Sequence, residues 1–176
     1  MSLDETKRAA RGKLNTPTDL GANAVKDIAS ALNGVLADSF ALYFKTKNFH
    51  WHVSGPHFRD YHLMLDEQAG EIFGSTDDIA ERVRKLGGTT LRSVQQVAAM
   101  SRIAPNEADF VEPADMLAEL GQDTKACISA MRAARTVCED HGDTATSSMM
   151  DDWIDQAERR LWFLYETSRP AMTGGH

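Results

Sequence analysis

A chain of 176 residues, 42% hydrophobic and 26% charged, is long enough for one domain with a substantial core, and a prior of ~150 residues per domain gives no reason to divide it. The formal net charge of -7 argues against a body that binds polyanions through its overall field. The longest apolar runs, such as Phe40-Ala41-Leu42-Tyr43-Phe44, fall far short of the ~20 residues that cross a bilayer, so no membrane partner is expected.

Residues 1–18 are polar and end in Thr16-Pro17-Thr18, with Lys7, Arg8, Arg11 and Lys13 set against Asp4 and Glu5 for a net +2. They read as a flexible basic arm. From about Asn23 to His50 the apolar positions Val25, Ile28, Ala29, Leu32, Val35, Leu36, Phe40 and Tyr43 recur at the helical period. Ser54-Gly55-Pro56 ends that helix, and a second runs from about His57 to Leu86, where Gly87-Gly88 supplies the stop. Residues 89–110 contain "LRSVQQVAAM", enough for a short helix within a long connection. Pro113 precedes a third long helix from about Ala114 to Asp140. "HGDTAT" leads into a fourth, about Ser147 to Ser168, with Met150, Trp153, Ile154, Ala157, Leu161 and Leu164 on its seam. The expectation is all-α: a four-helix bundle over residues 19–170 with a short extra helix in the crossover, followed by a tail at 171–176.

The second helix carries three faces where an amphipathic helix needs two. At about 100° per residue, Phe58, Tyr61, Leu65, Ala69, Ile72, Thr76, Ile79, Val83 and Leu86 form the core side, and Glu67, Glu71, Asp78, Arg82 and Lys85 a solvent side. His62, Asp66, Gly70, Phe73, Asp77 and Glu81 form the third, which mixes ligand-type residues with an aromatic ring and a glycine. His62 and Asp66 are four apart and point the same way, as are Asp77 and Glu81. Between Asp66 and Asp77, however, lies about 16 Å of helix rise, and no ion with ligand bonds near 2 Å bridges that gap. Two copies packed antiparallel about a two-fold axis near Gly70 and Phe73 would bring the His62/Asp66 end of one to the Asp77/Glu81 end of the other, twice.

On the first helix, Leu36, Tyr43 and His50 are seven apart, so His50 continues an inward stripe and ends close to the start of the second helix. His50 and His62 can then converge. Two imidazoles and three carboxylates, completed by water, suit ferrous iron, with zinc or manganese as competitors.

The stretch "FHWHVSGPHFRDYHLMLDE" and the later "DDIAERVRKLGG" closely resemble the Dps family, the mini-ferritins, and the likeness runs from about Gly21 to Arg169. The spacing of His50, His62, Asp66, Asp77 and Glu81 agrees with that family's ferroxidase ligands. The resemblance implies a hollow, ferritin-like shell of twelve subunits in the bacterial cytoplasm or nucleoid. It implies an oxidoreductase that oxidises two Fe(II) ions per inter-subunit site, preferably with hydrogen peroxide, and stores the ferric product. His50, His62 and Asp66 would come from one subunit, and Asp77 and Glu81 from its neighbour. Trp51 matches a tryptophan beside the site, for which the resemblance implies uptake of oxidising equivalents; the other reading is a packed interface aromatic. One departure concerns the family's three-fold iron-entry pore: Ser147-Ser148 stand where relatives often carry an acid, leaving Asp143, Asp151 and Asp152 as substitutes.

Other readings remain beside this one. DNA binding would rest on Lys7, Arg8, Arg11 and Lys13, multiplied by copy number. Twelve bodies at -7 each, -84 in total, oppose it. A DNA-compacting protein with secondary iron chemistry is one alternative, and a shell that merely holds zinc is another. No Glu-x-x-His pair is present, against the di-iron sites built inside a single bundle. His52 and His57 read as surface or interface residues, His141 as a helix-end residue. Cys127 and Cys138, eleven apart with no CxxC, read as small buried thiols of a cytoplasmic protein, and no N-terminal apolar leader is seen.

Overall fold

The computed structural model describes residue 12 and residues 14–169. The basic positions Lys7, Arg8, Arg11 and Lys13 and the tail 171–176 lie outside the described residues. Among the described residues the regular elements are all helices: α1 Ala22–His52, α2 Phe58–Lys85, α3 Val94–Met100, α4 Pro113–Asp140 and α5 Thr144–Ser168. Among the described residues no helix is long and apolar enough to cross a membrane.

The four long helices form a ferritin-like bundle in which α1 packs on α2, α4 on α5 and α1 on α4, with α3 lying across α1. Its core is built from the expected period: Ile28, Leu32, Leu36 and Phe49 of α1 meet Leu65, Ile79 and Val83 of α2, Met116, Leu117 and Leu120 of α4, and Met150 and Leu164 of α5. Burial of such side chains, at about 25 cal/mol per Å² of apolar surface, is what holds the helices together.

Polar ties position the long crossover. Asp38, buried on α1, accepts from Arg102 N at 2.7 Å, Nε at 2.8 Å and Nη2 at 2.5 Å, fixing the segment after α3. Lys45, also buried on α1, donates to Glu119 and Asp123 of α4 at 2.8 and 2.6 Å. Buried charges of this kind are tolerated because each meets opposite charge and a hydrogen bond.

Several boundaries and faces differ from expectation. α5 begins at Thr144, three residues early, because Asp143 caps it by accepting from Thr146 N at 3.0 Å. Arg82 belongs to no solvent face: its Nε donates to Thr146 Oγ1 and its Nη2 to Asp143 Oδ1, both at 2.7 Å, so it ties α2 to the start of α5. Phe58 is not a core residue, being exposed and stacked on His62, whereas Tyr61 is half-buried and packs against the core. Conversely Gln68 is buried, its Nε2 donating to the Arg160 carbonyl at 3.2 Å.

Candidate metal centre

The turn between α1 and α2 brings the two histidines together. Gly55 sits at φ 97°, a conformation that a side chain disfavours, and Val53 N donates to Phe49 O as α1 closes. The chain therefore reverses within five residues, placing the last turn of α1 beside the first turns of α2. His50 and His62 stack with ring centroids 3.8 Å apart and planes 21° apart, and Phe58 stacks on the other face of His62 at 4.9 Å.

The backbone fixes both rings reciprocally. His50 Nδ1–H donates to the His62 carbonyl at 2.7 Å, and His62 Nδ1–H to the His50 carbonyl at 2.8 Å. A carbonyl can only accept, so both Nδ1 atoms carry the proton in these bonds and both neutral rings keep their lone pair on Nε2. This is the arrangement in which imidazole ligates metal: one nitrogen held by a hydrogen bond to the protein, the other free to coordinate. His50 Nε2 lies 3.9 Å from Asp66 Oδ1.

Asp66 itself is engaged. Lys47 Nζ donates to its Oδ1 at 2.6 Å, and the hydrogen bond and charge of that ammonium hold the Asp66 carboxyl below its ordinary 3.8. Lys47 also lies 5.9 Å from the Trp51 ring centroid. It was not among the expected site residues, although it precedes His50 by three and Trp51 by four, which puts all three on neighbouring strips of α1.

The remaining expected residues stand apart. α2 is unbroken from Phe58 to Lys85, so Asp77 stays about 16 Å and Glu81 about 22 Å along the helix from Asp66, both exposed, with Glu81 paired to Lys85 at 3.3 Å. Within one chain, among the described residues, no three His, Cys, Asp or Glu side chains are grouped to hold an ion. Trp51 is 56% exposed, edge-on to an exposed Phe44 with centroids 6.2 Å apart. Between the two half-sites lie exposed Gly70 and exposed Phe73, whose ring meets Tyr43 at 5.0 Å and Phe40 at 6.5 Å. Phe40 and Tyr43 thus back this face and are only half-buried.

Asp143 is not available to line a pore: it is buried and bound by Arg82 and Thr146. Asp151 accepts from Arg135 Nε at 2.5 Å, and Asp152 is exposed. Of the other histidines, His52 donates Nδ1–H to Asn48 O at 2.8 Å, His57 sits at the N-terminus of α2, and His141 caps α4 with Nε2 3.2 Å from Asp27. Cys127 and Cys138 are buried free thiols.

Residues 29–169 match the model of the ferritin-like domain family. The chain is 32% identical over 138 residues to the DNA protection during starvation protein of Brevibacillus brevis, covering 78% of this chain and 91% of that one. It is 31% identical over 137 residues to DNA protection during starvation protein 1 of Deinococcus radiodurans, covering 78% of this chain and 66% of that longer one. Among solved structures, DpsC from Streptomyces coelicolor superposes with a TM-score of 0.86 at 28% identity, over 92% of this chain and 94% of the other.

Proposed function

Because the chain is a member of the Dps family of ferritin-like proteins, we propose that it oxidises and stores iron at a site shared between two subunits, with Fe(II) as substrate. The observation that carries this reading is the reciprocal His50–His62 pair, which directs two Nε2 lone pairs beside the Asp66 carboxylate. Asp77 and Glu81 of a second copy complete the donor set. The exposed apolar strip of Phe73, Phe44 and Trp51 supports a partner lying across this face. Twelve subunits forming a shell, and a cytoplasmic location, follow from the family resemblance.

Mixed imidazole and carboxylate donors bind Fe(II) and, through the added negative charge, favour Fe(III). With hydrogen peroxide as oxidant, each of two Fe(II) ions gives up one electron, the O–O bond takes both and breaks, and two hydroxide ions result. Pairing the electrons avoids the hydroxyl radical of the one-electron route. Removing iron and peroxide together would protect DNA without touching it, in keeping with the name the relatives carry.

The test is peroxide-driven Fe(II) oxidation by His62→Ala and Asp66→Ala, with assembly followed by light scattering. Initial rates are expected to fall about tenfold or more at unchanged particle size. Wild-type rates in both variants would remove these residues from the site.

A further inference from the structure

We propose that the centre of each bundle holds one resident water, bound by the Nε–H of Arg160. Arg160 lies on α5 and is 8% exposed, yet its Nε is the one buried side-chain nitrogen or oxygen without a hydrogen-bond partner among the described residues. Its Nη1 reaches Glu71 at 3.5 Å, which orients the guanidinium, and its backbone carbonyl accepts from Gln68, while the buried Nε–H stays uncommitted. A buried donor left in that state is costly enough that native proteins fill it, with solvent where no side chain reaches.

Arg160 lines an internal cavity of about 20 Å³, above the ~10–15 Å³ that one water requires. Asp38, Ser39, Ser75, Thr124 and Cys127 share its wall. The chemistry of that wall selects the occupant. Ser39 Oγ donates its proton to Val35 O at 3.0 Å, and Ser75 Oγ donates to Ile72 O at 2.8 Å. Both hydroxyls therefore offer lone pairs to the cavity and have no proton left to give. A cation is repelled by the guanidinium, and an anion by the hydroxyl oxygens and the Asp38 carboxylate. A neutral molecule that accepts once and donates twice fits all of them: water accepts from Arg160 Nε–H and donates to the serine oxygens. It then links α5 to α1 and α2 across the middle of the fold, and it is separate from the histidine site.

The experiment is a crystal structure of the assembled protein at a resolution that shows ordered solvent, repeated after a bromide soak and for Arg160→Met. The expected result is one solvent peak within hydrogen-bond distance of Arg160 Nε, without anomalous signal in bromide and absent from the variant. An empty cavity, or a bromide peak within it, would overturn the proposal. Should Arg160→Met not fold, the density in the unsubstituted protein decides alone, its presence supporting the water and its absence refuting it.

Discussion

Lys47 Nζ sits 2.6 Å from Asp66 Oδ1, on the same carboxylate oxygen that His50 Nε2 faces at 3.9 Å. An ammonium at this place competes with a divalent ion for the carboxylate. Replacing it, Lys47→Met, is expected to tighten Zn(II) or Co(II) binding by a few-fold, because the carboxylate no longer has to leave the ammonium. Calorimetric titration of the assembled variant checks this; weaker binding would mean that the lysine assists the metal.

The same pair sets a pH dependence. The Asp66 carboxyl is depressed below 3.8 by Lys47, so the stabilisation from this ion pair is present above 3.8 and is lost as the pH falls through the lowered value. Lys47→Met lacks that stabilisation at every pH. The stabilities of the two proteins in denaturant should therefore differ above about pH 4 and converge below it, a window taken from the ordinary carboxylate range.

If the site is shared, two inactive variants must rescue one another. Subunits carrying His62→Ala, mixed with subunits carrying Asp77→Ala and Glu81→Ala and reassembled, form mixed dimers with one site doubly altered and the other intact. Random pairing makes half the dimers mixed, so about one quarter of wild-type oxidation should return. No recovery in shells shown by mass spectrometry to be mixed would place the whole site within one subunit.

Burial pushes the Cys127 thiol up to about 12 and the Cys138 thiol up to about 11, with nearby carboxylates adding to the shift. Near neutral pH the reactive thiolate is then roughly one part in 10⁴ or less. Both cysteines should remain unmodified through peroxide turnover, as peptide mass spectrometry reads directly; sulfenic or sulfinic acid at either would show a path for peroxide into the core.

Arg82→Met leaves the buried Asp143 without its guanidinium, although its bond from Thr146 N remains. Breaking one side of such a pair costs about 3 kcal/mol. The midpoint of denaturant unfolding should fall accordingly, while Arg82→Met combined with Asp143→Asn recovers part of the loss because no unpaired charge is left.

Residues 19–176 carry -9, the whole-chain -7 less the +2 of residues 1–18. Protein lacking residues 1–18 is therefore expected to leave plasmid DNA unshifted in a gel at physiological salt. Retention by the truncated form would locate a basic surface on the bundle.

Periodicity alone was enough to place α1, α2 and α4, and the seven-residue stripe through Leu36, Tyr43 and His50 brought His50 to His62. A helical wheel gives the direction of a side chain, however, and not what stands opposite it. Arg82 points where the wheel puts it, but the N-terminus of α5 occupies that space. Phe58 lies on the core side of the wheel, yet it is exposed and its ring stacks on His62. Lys47 and Lys45 were missed for a related reason: their partners Asp66, Glu119 and Asp123 are 19 to 78 residues away in sequence. The start of α5 precedes its apolar seam because Asp143 acts as the cap, a role that spacing of apolar residues does not signal.

The unbroken run of α2 separates its two pairs of proposed ligands by more than an ion can reach. Under the proposed arrangement, the competence to turn over iron appears only when a second copy docks, so quaternary assembly serves as the safety catch. Oxidation cannot begin on stray monomers, and the insoluble product forms only where a container is already under construction.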